Sequence, residues 1–122
     1  MTVPSMGELT AKKCKPCEGG IRPFSTEQAA EYVRQLRGWS LSTDGKSISR
    51  EYVMRDFIAA CGFISRIAPV AEAEDHHPDL HLTGYRKLRI ELATHAIGGL
   101  SENDFILAAK IDQIPKTLKQ AS

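Results

Sequence analysis

The sequence predicts an α+β domain in which a four-stranded, mainly antiparallel sheet carries three helices packed on one face, in the order α-β-β-α-β-β-α. Apolar residues recur at helical spacing in three stretches, and polar–apolar alternation marks the runs between them. Asp-Gly and Gly signals join those runs in pairs. Strand pairs joined by tight turns favour an antiparallel sheet with the helices as a separate layer.

The bulk composition is that of one globular domain. The chain has 122 residues, of which 42% are hydrophobic and 25% charged, within the range that builds a buried core. Sixteen basic residues against fifteen acidic ones argue against direct nucleic-acid binding, which needs a basic surface. No apolar run approaches the roughly 20 residues that span a bilayer, and no secretion signal is recognisable. We therefore expect a cytoplasmic protein with no membrane partner and with reduced cysteines.

Three regions are expected along the chain: an extension over residues 1–23, the globular domain over 24–115 and a tail over 116–122. Proline and glycine recur through the extension, which predicts extended and partly flexible chain. The glycines and prolines concerned are Pro4, Gly7, Pro16, Gly19, Gly20 and Pro23. Cys14 and Cys17 have Cys-x-x-Cys spacing, but a solitary pair is typical of a local turn and receives no assigned role.

The first half of the domain is predicted to hold one helix and a hairpin. Ser25 is a suitable N-cap and Gly38 a suitable end for the helix. Strands are predicted over residues 39–42 and 47–54. The Asp-Gly within residues 43–46 predicts the turn between them.

The second half is predicted to begin with the longest helix, from Asp56 to about Asp75, followed by strands over residues 79–83 and 85–95. Pro69 lies inside that helix and removes one backbone hydrogen bond, which predicts a kink or an early end. A third helix is predicted to begin at Ser101 and to end before Pro115.

All four histidines lie within the twenty-four residues from 72 to 95, and three of them, His76, His77 and His95, stand with Glu72 where they could converge on one pocket. The unperturbed pKa of histidine, about 6.5, allows proton transfer near neutrality. Such a cluster indicates proton transfer or metal binding. Asp75, Asp79 and His81 add ligand types nearby, but no familiar zinc spacing is present, which favours proton transfer.

Glu72 and His76 are four residues apart, so on a helix they would share a face, and the carboxylate would orient the imidazole. An exposed pair at a helix end, worth about 0.3 to 0.5 kcal/mol, is the alternative. His77 precedes Pro78, which holds its backbone extended. His76 and His77 therefore point differently, so one can do chemistry while the other grips a ligand, unless the loop is only histidine-rich by chance.

Two further residues have a structural as well as a functional interpretation. Asp104 stands at the N3 position of the third helix, where capping Ser101 explains it without any catalytic role. Trp39, the single tryptophan, is either a packing residue beside the first helix or an indole edge next to a flat heterocycle.

Taken together, Glu72-x-x-x-His76-His77-Pro78, Tyr85, His95 and Asp104 resemble the signature of the pterin-4a-carbinolamine dehydratase family. The resemblance covers residues 24–114. Further matching segments are Gly38-Trp39, Arg55-Asp56-Phe57, Gly62-Phe63, Thr94-His95 and Leu100-Ser101-Glu102. The Cys-x-Pro-Cys-Glu-Gly-Gly run at residues 14–20 resembles an extension common among bacterial and plant members.

The resemblance implies a 4a-hydroxytetrahydrobiopterin dehydratase, a hydro-lyase of tetrahydropterin recycling that needs no metal or organic cofactor. At the matching positions, His76 and His95 would be the acid/base pair, His77 would contact the pterin and Glu72 would support the site. Trp39, Pro78 and Asp104 would belong to the substrate's surroundings.

The resemblance also leaves alternatives open. His76 as acid and His95 as base is the expected assignment, and the reverse is nearly as well supported. Animal members of the family also serve as dimerisation cofactors for a homeodomain transcription factor, and some relatives are linked to pterins of molybdenum-cofactor metabolism. A homodimer or homotetramer is expected.

Overall fold

The computed structural model describes residues 3–16 and 22–120. Within these residues the helices are α1 (Met6–Ala11), α2 (Thr26–Val33), α3 (Phe57–Glu74) and α4 (Glu102–Gln113). The strands are β1 (Ser40–Leu41), β2 (Ile48–Val53), β3 (Asp79–Thr83) and β4 (Lys87–Leu92), and a short 3₁₀ turn covers His95–Ile97. The predicted α+β class is confirmed, as is the order of elements from α2 onward.

The four strands form one antiparallel sheet in the order β1-β2-β4-β3. Side chains alternate across it, so one face is buried and the other is largely exposed. The buried face carries Ile48, Tyr52, Leu88, Ile90 and Leu92. Helix α3 contributes Phe63 to this core, where its ring meets Tyr52 edge-on at a centroid distance of 5.1 Å. None of the helices within residues 3–16 and 22–120 combines the length and the hydrophobicity that a membrane span requires.

Helix α1 corrects the prediction that residues 1–23 are extended. The side chain of Ser5 accepts from the backbone N–H of Glu8, whose carboxylate accepts in return from the N–H of Ser5, both at 3.2 Å. This capping box is readable as Ser-x-x-Glu in the sequence. Leu9 is fully buried, and α1 packs against α4. Residues 1–2 and 17–21, also part of the predicted extension, lie outside the described residues.

Helix α3 confirms the predicted span from Asp56 to about Asp75, because it continues for 18 residues to Glu74, and it rules out the early end at Pro69 that was one of two alternatives. Both Pro69 and Ser65, whose carbonyl loses its partner to the proline, are exposed. Water can therefore satisfy that carbonyl, which lowers the cost of a proline inside the helix.

Strand β4 is shorter than the predicted run over residues 85–95. Tyr85 has a φ of 57° and belongs to the turn after β3. At the other end, the N–H of Thr94 donates to the carbonyl of Gly99 at 2.8 Å. That bridge closes a tight loop, so His95 lies on a 3₁₀ turn and not on the strand.

Candidate active site

The end of α3 places His76. Asp75 ends the helix in the left-handed conformation with a φ of 51°, and the N–H of His76 donates to the carbonyl of Ala71 at 3.2 Å. A hydrogen bond of this span is the usual way in which a helix end satisfies its last carbonyls. The reversal at Asp75 directs the following residues out of the helical path.

His76 is bound to Asp104 of α4. Its Nε2 lies 2.6 Å from Oδ1 of the carboxylate, and the two side chains are 11% and 0% exposed. Because a carboxylate only accepts, Nε2 carries the proton in this contact. This hydrogen bond from a largely buried imidazole to a fully buried carboxylate fixes the plane of the ring and places the proton of its neutral form on Nε2.

Asp104 also organises the loop that carries His95. Its Oδ2 accepts from the hydroxyl of Thr94 at 2.8 Å and from the backbone N–H of Ser101 at 3.0 Å. The second contact is the capping interaction predicted from the sequence, and it coexists with the contact to His76. A single buried carboxylate therefore ties together the end of α3, the start of α4 and the residue before His95.

Glu72 is the partner of His77, which corrects the predicted pairing of Glu72 with His76. Oε1 of Glu72 lies 3.4 Å from Nε2 of His77, and the side chains are 77% and 54% exposed. The four-residue spacing brings side chains together only while the chain stays helical. The left-handed Asp75 interrupts the helix before His76, so that geometry does not apply.

Three predicted residues meet in one cleft of about 560 Å³. His76 and His77 come from the end of α3, and the exposed His95 comes from the 3₁₀ turn. The other described lining residues are Lys13, Cys14, Lys15, Pro16, Ala73, Glu74, Asp75, Ala93, Thr94, Ala96 and Asn103.

The structure does not bring Trp39 to this cleft, contrary to the expectation that it neighbours the ring. Trp39 is 4% exposed, and its indole N–H donates to Asp112 at 2.9 Å. Tyr52 and Arg50 donate to the same carboxylate. The described lining of the cleft also lacks Pro78, Glu72 and Asp104. Each of them is next to a histidine of the lining: Pro78 follows His77 in the chain, Glu72 contacts His77 and Asp104 contacts His76.

Imidazoles from separate elements thus lie around one cleft, an arrangement that is compatible with proton transfer. Among the described residues, no group of three or more His, Cys, Asp or Glu side chains is arranged to hold a metal ion. The dense run of ligand types from Asp75 to His81 divides in the structure, because His81 lies on β3 opposite Arg89. The expectation that neither metal nor organic cofactor takes part stays a prediction.

A comparison with known families covers nearly the whole domain. The family model described as pterin 4 alpha carbinolamine dehydratase matches residues 22–114. This protein belongs to that family. The matched range includes the three histidines that line the cleft, His76, His77 and His95, and also Asp104, which holds His76.

Relatives in the dehydratase family cover most of the chain. A protein of Halorhodospira halophila, whose name gives the same activity provisionally, is 50% identical over 106 residues, 87% of this chain and 96% of its own length. The mitochondrial pterin-4-alpha-carbinolamine dehydratase 2 of Arabidopsis thaliana is 42% identical over 113 residues, 90% of this chain and 60% of its own. A crystal structure from Brucella melitensis, described as a transcriptional coactivator/pterin dehydratase, superposes with a TM-score of 0.69 at 32% identity, covering 75% of this chain and 96% of that one.

Sequence reasoning missed the contribution of residues 13–16 to the cleft. These residues precede the part of the chain that the dehydratase family model matches. The Cys-x-Pro-Cys run marked the region as unusual, but no spacing rule connects it to residues on α3 and α4 some 60 to 90 positions away.

Proposed function

We propose that this protein dehydrates a 4a-hydroxytetrahydropterin to the quinonoid dihydropterin and water, with His76 and His95 as general acid and base. The observation that carries the proposal is the meeting of His76 and His95 in one cleft, with His76 held by the buried carboxylate of Asp104. Membership of the dehydratase family supports the reaction class.

The reaction asks for two proton transfers. The C4a–O bond breaks as the hydroxyl leaves with an added proton, the lone pair of N5 forms the C4a=N5 bond, and N5 then loses its proton. One acid and one base suffice, and each contributes typically about 10²- to 10⁴-fold in rate. No electrons are exchanged with a further reactant.

His76 fits the acid role. Asp104 occupies Nε2, so Nδ1 is the nitrogen left to exchange a proton with the substrate, and a ring protonated at both nitrogens can donate from Nδ1. His95 fits the base role because its exposed ring can pass the proton on to water. His77 would grip the pterin, and Pro78 would hold the backbone of His77 extended.

The test is a dehydration assay with chemically generated 4a-hydroxytetrahydropterin. We expect the purified protein to accelerate dehydration and the variants His76→Ala and His95→Ala each to lose about 10²- to 10⁴-fold in kcat. His81→Ala is the matched control, because His81 lies exposed on β3, outside the described lining of the cleft. Wild-type rates in both cleft variants would refute the assignment.

A second candidate function is that of a protein-binding coactivator, which the description of the Brucella melitensis structure names for that protein. The start of α3 exposes Phe57 at 53% and Ile58 at 81%, and such apolar residues are typical of binding surfaces. A stable complex with a partner protein, found together with no turnover of the hydroxypterin, would reverse the order of the two candidates.

Three expectations from the sequence remain predictions beside this proposal. They are a role in tetrahydropterin recycling, assembly into a homodimer or homotetramer and a cytoplasmic location. The Arabidopsis thaliana relative is named as mitochondrial, so family membership by itself does not decide the compartment.

A further inference from the structure

We propose that residues 13–16, which we call the strap, form a substrate-binding wall of the pterin cleft and are held there by Asn103 and Glu74 as positioning residues. The inference rests on the proposed function and extends it to a segment outside the matched family domain. Lys13, Cys14, Lys15 and Pro16 all line the cleft that contains the three histidines.

The first anchor is a two-point contact between Asn103 and the backbone of Lys15. Oδ1 of Asn103 accepts from the N–H of Lys15 at 2.9 Å, and its Nδ2 donates to the carbonyl of Lys15 at 2.5 Å. Asn103 is only 6% exposed. The side-chain amide of Asn103 thus bonds both the N–H and the carbonyl of Lys15, as a residue of a neighbouring β-strand would, and this fixes the orientation of the Lys15 backbone.

The second anchor is the carboxylate of Glu74, which accepts from the N–H of Cys14 at 2.8 Å and from Nζ of Lys110 at 2.8 Å. Burial opposes the charge on Glu74, yet the N–H of Cys14 and the ammonium of Lys110 outweigh it and lower the pKa of this carboxyl. Glu74 therefore stays an ionised acceptor at neutral pH.

The strap is also held from its N-terminal side. Leu9 of α1 is fully buried, and Nζ of Lys12 contacts Oε1 of Glu102 at 3.0 Å. Thus the chain that leads into the strap is packed on α4, the helix that carries both Asn103 and Asp104.

Both anchors stand beside the catalytic framework. Asn103 immediately precedes Asp104, the partner of His76, and Glu74 lies two residues before His76 itself. The end of α3 and the start of α4 thereby hold both the imidazole and the strap.

The strap contributes to binding and not to proton transfer. Burial and the neighbouring Glu74 raise the pKa of the Cys14 thiol to about 12, which leaves very little thiolate at neutral pH. Lys13 and Lys15 can offer side-chain donors to polar groups of the pterin. Loosening the strap should therefore weaken substrate binding while the proton-transfer step on the bound substrate continues at its normal rate.

The test compares Lys15→Pro with Lys15→Ala. Both substitutions remove the lysine side chain. Proline also removes the backbone N–H that donates to Oδ1 of Asn103, whereas alanine keeps that N–H. We expect Lys15→Pro to raise KM about 10-fold over Lys15→Ala, with kcat within about twofold, because one hydrogen bond at a binding wall is worth roughly that factor. The dissociation constant of a 7,8-dihydropterin, which cannot be dehydrated, should rise by the same factor.

Asn103→Ser is the second variant. The shorter side chain loses both hydrogen bonds with the backbone of Lys15, while the sequence of the strap itself stays unchanged. This variant should reproduce the rise in KM and in the dihydropterin dissociation constant, and a urea denaturation curve for each variant establishes that it is folded. Equal KM and equal dihydropterin affinity in Lys15→Pro and Lys15→Ala would overturn the inference.

Turnover of the hydroxypterin and binding of the dihydropterin fail independently, so together they distinguish a wrong role for the strap from a wrong reaction. Normal turnover with no difference between the two Lys15 variants overturns the role of the strap and leaves the dehydratase in place. No turnover by the wild-type protein, together with dihydropterin binding that weakens in Lys15→Pro, overturns the reaction and supports the strap as a pterin-binding wall.

Discussion

Asp104 illustrates how one residue meets a structural and a chemical demand together. Its Oδ2 caps the start of α4 through Ser101, while its Oδ1 holds the ring of His76. The two oxygens of a carboxylate serve two sets of donors at once. The capping interpretation and the catalytic interpretation of this position are therefore compatible.

Asp104→Asn should separate the two demands. An amide oxygen can still accept from Ser101, but the negative charge beside His76 is lost. A hydrogen bond to a charged group is worth about 1.5 to 3 kcal/mol, so we expect kcat to fall about 10- to 100-fold. Steady-state dehydration kinetics measure this.

The matched control for this change is Glu72→Gln. Glu72 is 77% exposed and contacts His77 at 3.4 Å, and an exposed pair of this kind contributes little. We expect kcat of this variant within about twofold of wild type. A loss in Glu72→Gln as large as that in Asp104→Asn would mean that the wrong carboxylate has been assigned to the acid.

At the scale of elements, Glu74 joins the end of α3 to α4 through Lys110 and to the N-terminal segment through Cys14. The pKa of its carboxyl is lowered in the folded protein, although burial acts in the opposite direction. The folded state therefore binds this proton less tightly than the unfolded chain does. The resulting stabilisation is present above the ordinary glutamate pKa and is lost as the pH falls below it.

Glu74→Gln removes that dependence. At about pH 7 we expect the variant to be less stable than wild type by about 1 kcal/mol, and the difference should shrink as the pH falls from about 5 to about 3. Urea denaturation at each pH gives the two free energies of unfolding. A difference that stays constant over this range would show that the ionised carboxylate is not what joins these elements.

The ends of the helices and strands show which local sequence signals were enough to predict them. Caps at Ser25, Asp56 and Ser101 were readable and mark the starts of α2, α3 and α4. Helix α1 carried the same signal at Ser5, but the surrounding prolines and glycines obscured it. The end of β4 was missed because its cause is the bridge between Thr94 and Gly99, which no alternation pattern reveals.

The candidate site depended on contacts that local patterns do not encode. The three histidines were found from residue type alone. The partner of His76 lies 28 positions away, and the anchor of the strap lies 88 positions from Lys15. The expected Glu72 partner for His76 assumed a helix that Asp75 in fact ends. Such pairings become visible only when the whole chain is folded.

At the scale of the whole molecule, the cleft and the scaffold use separate carboxylates. Asp112, near the other end of α4 from Asp104, accepts from Trp39 of the segment before β1 and from Arg50 and Tyr52 of β2. This cluster fastens α4 to the sheet. Trp39 accordingly lies in the scaffold, away from the cleft that the three histidines line.

Trp39→Phe tests that separation. Phenylalanine keeps most of the apolar contact but loses the N–H that Asp112 accepts, so we expect the free energy of unfolding to fall by about 1 to 2 kcal/mol. KM for the hydroxypterin should stay within about twofold. A large rise in KM with unchanged stability would return Trp39 to the substrate site.

The central claim, that His76 and His95 act together on one pterin, is tested most directly by a crystal structure of the complex with a 7,8-dihydropterin. We expect the bicyclic ring in the cleft, with a nitrogen of each imidazole within about 3.5 Å of the C4a–N5 edge, the separation that proton transfer to and from the substrate requires. A pterin bound elsewhere, or a bound ring that only one of the two imidazoles can reach, would contradict the claim.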